Sequence, residues 1–226
     1  PSAEAYGKVK GKWIAIPVAF NGGYPNYRIS AMKKAGFDRF PTDTAGFLEL
    51  CRGLKKNNTP AGFALGHATG DGNTWCHWAL WSHGGNLVDA NEKIVINSPE
   101  TAKALEYVKS LYETFVPGTV SWNDSSNNKA FLAGDLYLTN NGISIYAAAK
   151  KDNPKLAEDM DHAVWPIGPV GKPTEFQLAF PILAFKYSKA PNACKAFIAF
   201  MMEAANYNPW LEAAQGYLCE PLSNYP

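Results

Sequence analysis

The chain has 226 residues, 21 Lys and Arg against 20 Asp and Glu, a formal net charge of +1 at pH 7 and 46 % hydrophobic residues. That length can bury a sizeable core, in one large domain or two small ones. The near-neutral charge, without a basic cluster, argues against a nucleic-acid partner, and no apolar run is long enough to span a bilayer.

Aromatic residues make up 13 %, with seven Trp and eleven Tyr, which suits either stacking against a sugar or ordinary core packing. The four cysteines, Cys51, Cys76, Cys194 and Cys219, show no paired short spacing, so no zinc site is expected. Cys51 and Cys76 stand among apolar residues and read as buried thiols. A Cys194–Cys219 disulfide stays open for an oxidising compartment.

In chain order, Lys12 to Val18 reads as a buried strand closed by Pro17, and Phe20 to Pro25 as a loop. Arg28 to Ala35 forms a short helix stopped by Gly36. Arg28 itself reads either as a surface ion pair or as a carboxylate ligand near a cleft mouth. Asp43 or Thr44 caps a helix whose apolar face is Phe47, Leu50, Cys51 and Leu54.

In GFALGHATGDGNTWCHWALWSHGG (residues 62–85) a short strand leads into a glycine-rich loop, His67 to Gly72, and Asn73 or Thr74 begins a helix. Trp75, Trp78, Ala79 and Ser82 share one helical face. Trp78 and Trp81 read as core, whereas Trp75, in the first turn beside the loop, reads as the ring that meets a ligand. His67, His77 and His83 lack the spacing of a helix-borne zinc pair, so no metal is expected. Asp71 has no second carboxylate nearby in sequence, and Asp89 and Glu92 fall in a hairpin turn before Ile94 to Ile96. The facing carboxylate pair of a glycosidase is thus not evident, and no catalytic residue is assigned.

Ser98 caps a helix from Pro99 to about Phe115, with the stripe Leu105, Val108, Leu111, Tyr112 and Phe115. The most informative stretch is GTVSWNDSSNNKAFLAGDLYLTNNGISIY, residues 118–146. Trp122, Asn123 and Asp124 precede a helix bearing Ala130, Phe131 and Leu132. Gly134 and Asp135 then turn the chain into a strand, Leu136 to Thr139, which runs into Asn140-Asn141-Gly142, and Ser144 begins the next helix. A helix start leaves unpaired backbone N–H groups, Asn both donates and accepts, and ligands settle outside the carboxyl ends of strands in open α/β sheets. Asn140 and Asn141 read in two ways, as turn and cap formers or as ligand contacts.

Lys151 to Asp161 reads as a polar connection, Ala163 to Pro166 as a short strand, residues 168–173 as a loop and Gln177 to Tyr187 as a strand. Pro191 opens a helix bearing Phe197, Phe200 and Met201, and Asn208 to Ala214 forms a last helix before Gln215-Gly216-Tyr217.

Four of these pieces, in order, resemble the family-one extracellular solute-binding proteins of ABC importers, of the sugar-type, maltose-binding-protein-like kind. They are WSHGGNLVD, INSPETAKALEYVKSLY, AFLAG followed by a short strand and NG, and KYSKAPNACKAFIAFM. The likeness runs from about Gly11 to Tyr217. It implies an α/β, periplasmic-binding-protein type II-like fold, two-lobed with interdomain crossings, of which mostly the second lobe is present. Residues 1–12 would be a tail from lobe one, 13–175 the second α/β lobe, and 176–226 the return to lobe one with a hinge and C-terminal segment. Against the family pattern a large N-terminal portion and the last helices are missing, so the chain reads as a fragment or processed product.

The family's usual Trp after the helix cap is replaced by Thr44 or Ala45, and its frequent stacking Trp after NG by Ile143 and Ser144. That second departure shifts the expectation from a long oligosaccharide toward a smaller sugar or polyol. The resemblance implies a membrane permease as partner, a monomer without nucleic acid or cofactor, and a periplasmic location, or an extracellular lipid-anchored one in a Gram-positive source.

Two function classes compete. One is a solute-binding component that captures a small sugar or polyol in an interlobe cleft; the other is a carbohydrate-active enzyme or carbohydrate-binding accessory domain. The missing catalytic constellation favours binding, a judgement that rests on the site rather than the fold. The expected ligand-binding residues are His67, Asp71, Asn73, Trp75, Trp122, Asn140, Asn141 and Tyr217, at the ends of three strands or crossings. Asn and Asp would bond hydroxyls, and Trp122, Trp75 or Tyr217 would lie against the sugar face.

Overall fold

A computed structural model describes residues 2–221, so the last five residues of the expected return segment lie outside the described residues. The chain divides into two compact units, one formed by residues up to Asn21 together with those from Gln177, the other by Gly22–Phe176. The first unit begins with α1 (Ser2–Gly7), β1 (Lys8–Val9), β2 (Lys12–Trp13) and β3 (Ile16–Gly22). The second runs through β4 (Tyr24–Arg28), α2 (Ile29–Lys34), α3 (Thr44–Lys56), α4 (Asp71–Ser82), α5 (Pro99–Tyr112), a 3-10 turn (Thr119–Ser121), α6 (Ser126–Ala133), β5 (Leu138–Asn141), α7 (Ser144–Asp152), α8 (Pro154–Glu158) and β6 (Met160–His162). The chain then returns to the first unit with β7 (Gln177–Ile182), α9 (Pro191–Met201) and α10 (Ala204–Ala213). There β3 pairs with β7, Phe20 bridges Cys219, and the buried Tyr207 donates its hydroxyl to the Val18 carbonyl.

In the 22–176 unit the sheet order is β5–β4–β6, antiparallel throughout. Tyr24 faces Asn141 and Pro25 faces Asn140 across the first pair. All four residues of β5 are buried, as befits a strand covered on both faces. Pro25 sits in the central strand, where its missing N–H would normally break a ladder. Its carbonyl accepts from Ala163 N at 3.1 Å, one residue past the end of β6, so the gap falls where the ladder stops.

Two apolar clusters fill this unit. The larger joins Phe47, Leu50, Phe63, Trp75, Trp78, Phe115 and Trp165 among others; the smaller joins Phe131, Leu136, Ile145, Ala149, Leu156 and Met160. Each buried indole N–H finds a carbonyl: Trp75 donates to Ala64 O (2.9 Å), Trp78 to Pro166 O (2.8 Å) and Trp165 to Gly23 O (2.7 Å). The expected caps hold, since Asp43 accepts from Gly46 N at 2.8 Å and Ser98 from Thr101 N at 3.2 Å. Gly134, at φ 87°, ends α6 in the left-handed conformation, with Asp135 N donating to Ala130 O at 2.9 Å.

Several expectations are corrected. Lys12 to Val18 is two strands, and Pro17 lies inside β3 instead of closing it; the supposed loop from Phe20 to Pro25 is mostly β3 and β4. No strand precedes the glycine-rich loop. Ala61 makes single bridges to Phe115 and Leu138, and the segment is tied by isolated bonds, among them Gly62 N to Leu138 O and Leu65 N to Thr119 O, both 3.0 Å. The strand expected at Leu136–Thr139 lies two residues later, because Asp135 and Tyr137 are taken up by turn and edge bonds before pairing with β4 begins. Leu105 is 62 % exposed, so α5 buries Thr101, Ala104 and Leu111 in place of the full stripe. Residues 151–161 hold α8 and β6, not a plain connection, while 163–166 form no strand. Arg28 forms no ion pair among the described residues: it donates to Phe131 O at 3.1 Å and lies 4.5 Å from the centre of the Tyr137 ring. All four cysteines are free thiols, with Cys51 buried and Cys76 half-buried.

Candidate functional site

Three segments meet at one end of the 22–176 unit: loop 66–70 with the start of α4, residues 118–125 before α6, and the carboxyl end of β5. The first two run together tightly. A Cβ on Gly66 would stand 2.5 Å from the Trp122 carbonyl oxygen, so only glycine fits there. The Asp124 carboxylate closes the contact by accepting from Gly70 N (3.1 Å) and Asp71 N (2.9 Å). Two orphan N–H groups at the start of α4 are thereby satisfied by an anion placed where the helix dipole favours one.

Asp71 then ties α4 to the other two segments. Its Oδ2 accepts from Asn127 Nδ2 at 2.8 Å and from Asn141 Nδ2 at 3.3 Å, and its backbone carbonyl accepts from Asn140 Nδ2 at 2.9 Å. Asn127 Nδ2 also donates to Asn140 O at 2.8 Å. Asn141 Nδ2 reaches Asn128 Oδ1 as well, and Ser144 Oγ donates to Asn141 Oδ1 at 3.0 Å. Behind the strand, Asn26 Nδ2 donates to Asn141 O at 3.0 Å. Asn26, Asn127 and Asn140 have no exposed surface, and the Oδ1 of each is buried without a partner among the described residues. Among the described residues none donates to Asp71 Oδ1.

Burial drives the Asp71 carboxyl up to about 7, the Asn127 bond pulling it down and the Asp124 charge pushing it further up. The ion pairs among the described residues are Lys8–Glu4 and Arg52–Glu49, so none supplies Asp71 with a cation. No group of three or more His, Cys, Asp or Glu suited to a metal ion occurs among the described residues. The cluster can therefore accept hydrogen bonds from a donor-rich neutral molecule, with amides holding the acceptor in place.

Of the expected site residues, Asp71, Asn140 and Asn141 come together in this network. Asn73 is exposed on the first turn of α4, donating to Thr69 O at 2.7 Å, and His67 is exposed on the adjoining loop. Trp75 is a correction: it has no exposed surface and packs edge-on against Phe63 at 5.5 Å, because its position in α4 points it at the larger core. Trp122 is half-buried against the smaller cluster. Tyr217 belongs to the other unit and is 38 % exposed there. Asp124, Asn127, Asn128 and Ser144 were missed as site residues. Asn127 had a legible signal, since it stands four residues before the buried Phe131 and so shares its inward helical face. Within the first unit, a cavity of about 460 Å³ is lined by Trp13, Ile16, Ile182, Ala199 and Met202 with Lys195, without the convergent polar groups of a sugar site.

The sequence pattern of bacterial extracellular solute-binding proteins matches residues 1–223. The chain belongs to this family. It is 26 % identical over 226 residues to the "probable ABC transporter-binding protein" of Deinococcus radiodurans, covering 92 % of this chain and 54 % of that protein. Among solved structures, T. maritima MalE3 with maltose bound superposes with a TM-score of 0.77 at 21 % identity, over 91 % of this chain and 54 % of the other. An ABC transporter solute-binding protein from Agrobacterium vitis S4 with bound D-mannitol gives 0.75 at 20 %, over 93 % and 52 %. The chain thus spans about half the length of the family members it matches. Its fold is the α/β, periplasmic-binding-protein type II-like fold that the resemblance implied, and the family is one of binding proteins rather than enzymes. Among the described residues no helix is long and apolar enough to cross a membrane.

Proposed function

We propose that this chain is part of a solute-binding protein that captures a small sugar or polyol and delivers it to the membrane permease of an ABC importer, outside the cytoplasmic membrane and without catalysis. The polar cluster around Asp71 is its anchoring site. The Gly22–Phe176 unit is the corresponding lobe and the other unit belongs to the other lobe, so residues 13–21 fall outside the 13–175 lobe that the resemblance implied. The observation that carries this reading is Asp71 itself: amides from α6 and β5 hold one oxygen of its carboxylate, while the other accepts nothing from the described residues. Such an acceptor, preorganised at the end of a strand and the start of a helix, suits a hydroxyl donor. Asn73, His67 and Asn141 supply further polar groups around it, and Trp122 a ring face. The two solved neighbours named above hold maltose and D-mannitol, which supports the solute class.

The test is isothermal titration of the chain with D-mannitol and with maltose, beside incubation with aryl glycosides. Saturable binding without release of the aryl group is expected. Glycoside hydrolysis abolished by Asp71→Asn would place the chain with the carbohydrate-active enzymes instead.

A further inference from the structure

We propose that Asn127 is the positioning residue of the site, the group that fixes Asp71 as an acceptor facing the solute. This deepens the solute-binding reading and rests on it for its functional meaning, but its geometry stands by itself. Asn127 Nδ2 makes two donations at 2.8 Å, to Asp71 Oδ2 on α4 and to Asn140 O on β5. Flipping the amide would set its oxygen against a carboxylate and a carbonyl, both acceptors, so the donors alone determine its orientation. The side chain has no exposed surface, and Asn127 and Phe131 are the two buried residues of α6.

The polarity of the neighbouring amides follows the same direction. Asn140 and Asn141 both point their Nδ2 at Asp71, one at its carbonyl and one at its carboxylate. Asp124 is spent on the backbone N–H groups of Gly70 and Asp71 and is the neighbouring charge that raises the proton affinity of Asp71. Without donors on Oδ2, a carboxylate so placed would hold its proton to still higher pH and stay a donor where it now turns acceptor. Asn127 supplies the shorter of the two bonds that oppose this. The site therefore selects, at Asp71 Oδ1, for solutes that donate a hydrogen bond, and Asn127 sets the choice without touching the solute.

The experiment follows the Asp71 side-chain carboxyl by carbon NMR as a function of pH, in the chain as it stands and in Asn127→Leu. The substitution keeps size and removes both donations, so the Asp71 midpoint should rise by roughly one unit. A purely structural role would weaken the fold and leave the midpoint of the folded fraction where it was; that result overturns the inference. Where Asn127→Leu does not fold, Asn127→Ser, which keeps one donor, should give a smaller rise, and an unmoved midpoint there is equally contrary. The same samples are then titrated with D-mannitol and with maltose, reading the backbone amides of residues 66–72 and 140–144. A raised midpoint with no solute response supports the positioning role while contradicting the solute reading. An unmoved midpoint with a clear solute response does the opposite.

Discussion

Asn127 donates to the Asp71 carboxylate at 2.8 Å across 56 positions of sequence, joining the first residue of α4 to the first turn of α6. Each residue is held from elsewhere as well: the Asp71 carboxylate by Asn141 and its backbone carbonyl by Asn140, and the Asn127 side chain by the β5 carbonyl to which it also donates. The end of the 22–176 unit is thus a polar lattice rather than an open loop surface.

That lattice makes stability depend on pH in an unusual sense for an aspartate. Burial pushes the folded Asp71 carboxyl up to about 7, so between about pH 4 and pH 7 the folded state holds a proton that the unfolded chain has lost. Its contribution to stability is complete below about pH 4 and falls away as pH rises toward 7. Asp71→Asn should match the parent chain at pH 4 and exceed it at pH 8, by at most about 4 kcal/mol for a shift of this size. Urea midpoints across that range check this; a variant less stable at pH 8 than at pH 4, relative to the parent, contradicts the burial of a protonated carboxyl.

The two tryptophans near the site should separate cleanly. Trp75→Ala empties a wholly buried position whose ring meets Phe63 and Phe115, so a loss of about 3–5 kcal/mol is expected. Trp122→Ala removes a half-buried ring packed on the smaller cluster and should cost less than that in stability while weakening solute binding by about 1–3 kcal/mol. Thermal melts alongside calorimetry distinguish them. Equal stability losses would place Trp122 in the core as well.

Asp124→Ala should loosen the junction of the two loops. It strips the acceptor from Gly70 N and Asp71 N, a loss of about 1 kcal/mol for a helix-start carboxylate. Hydrogen exchange at the Asp71 amide should accelerate, with the α5 amides unchanged; protection retained at Asp71 would show that the carboxylate does not carry the contact.

Helical spacing was the most legible part of the fold. The Asp43 and Ser98 caps, the buried face of α3 and the glycine stop at Gly134 follow from local chemistry and appear as expected. The strands were harder, because Pro25 and the Gly22-Gly23 pair read locally as loop, and only pairing with the distant β5 and β6 makes β4 a strand. The same limit applies to the site. Asp71, Asn140 and Asn141 were legible as polar groups at element ends. Trp75 was not legible as core, since its position in the first turn of α4 is decided by which side of the helix meets Phe63. Asn127 looked like one polar residue in the run SSNN, and its importance comes from partners 56 and 13 positions away.

The most direct test of the central claim is calorimetric titration of D-mannitol into the parent chain and into Asp71→Ala at pH 8, where the parent carboxylate is ionised. If Asp71 is the anchoring acceptor of a solute site, the parent should bind saturably and the variant at least ten-fold more weakly, the size of loss that goes with a hydrogen bond to a charged group, with both chains folded by circular dichroism. Undiminished affinity in a folded Asp71→Ala chain would contradict it.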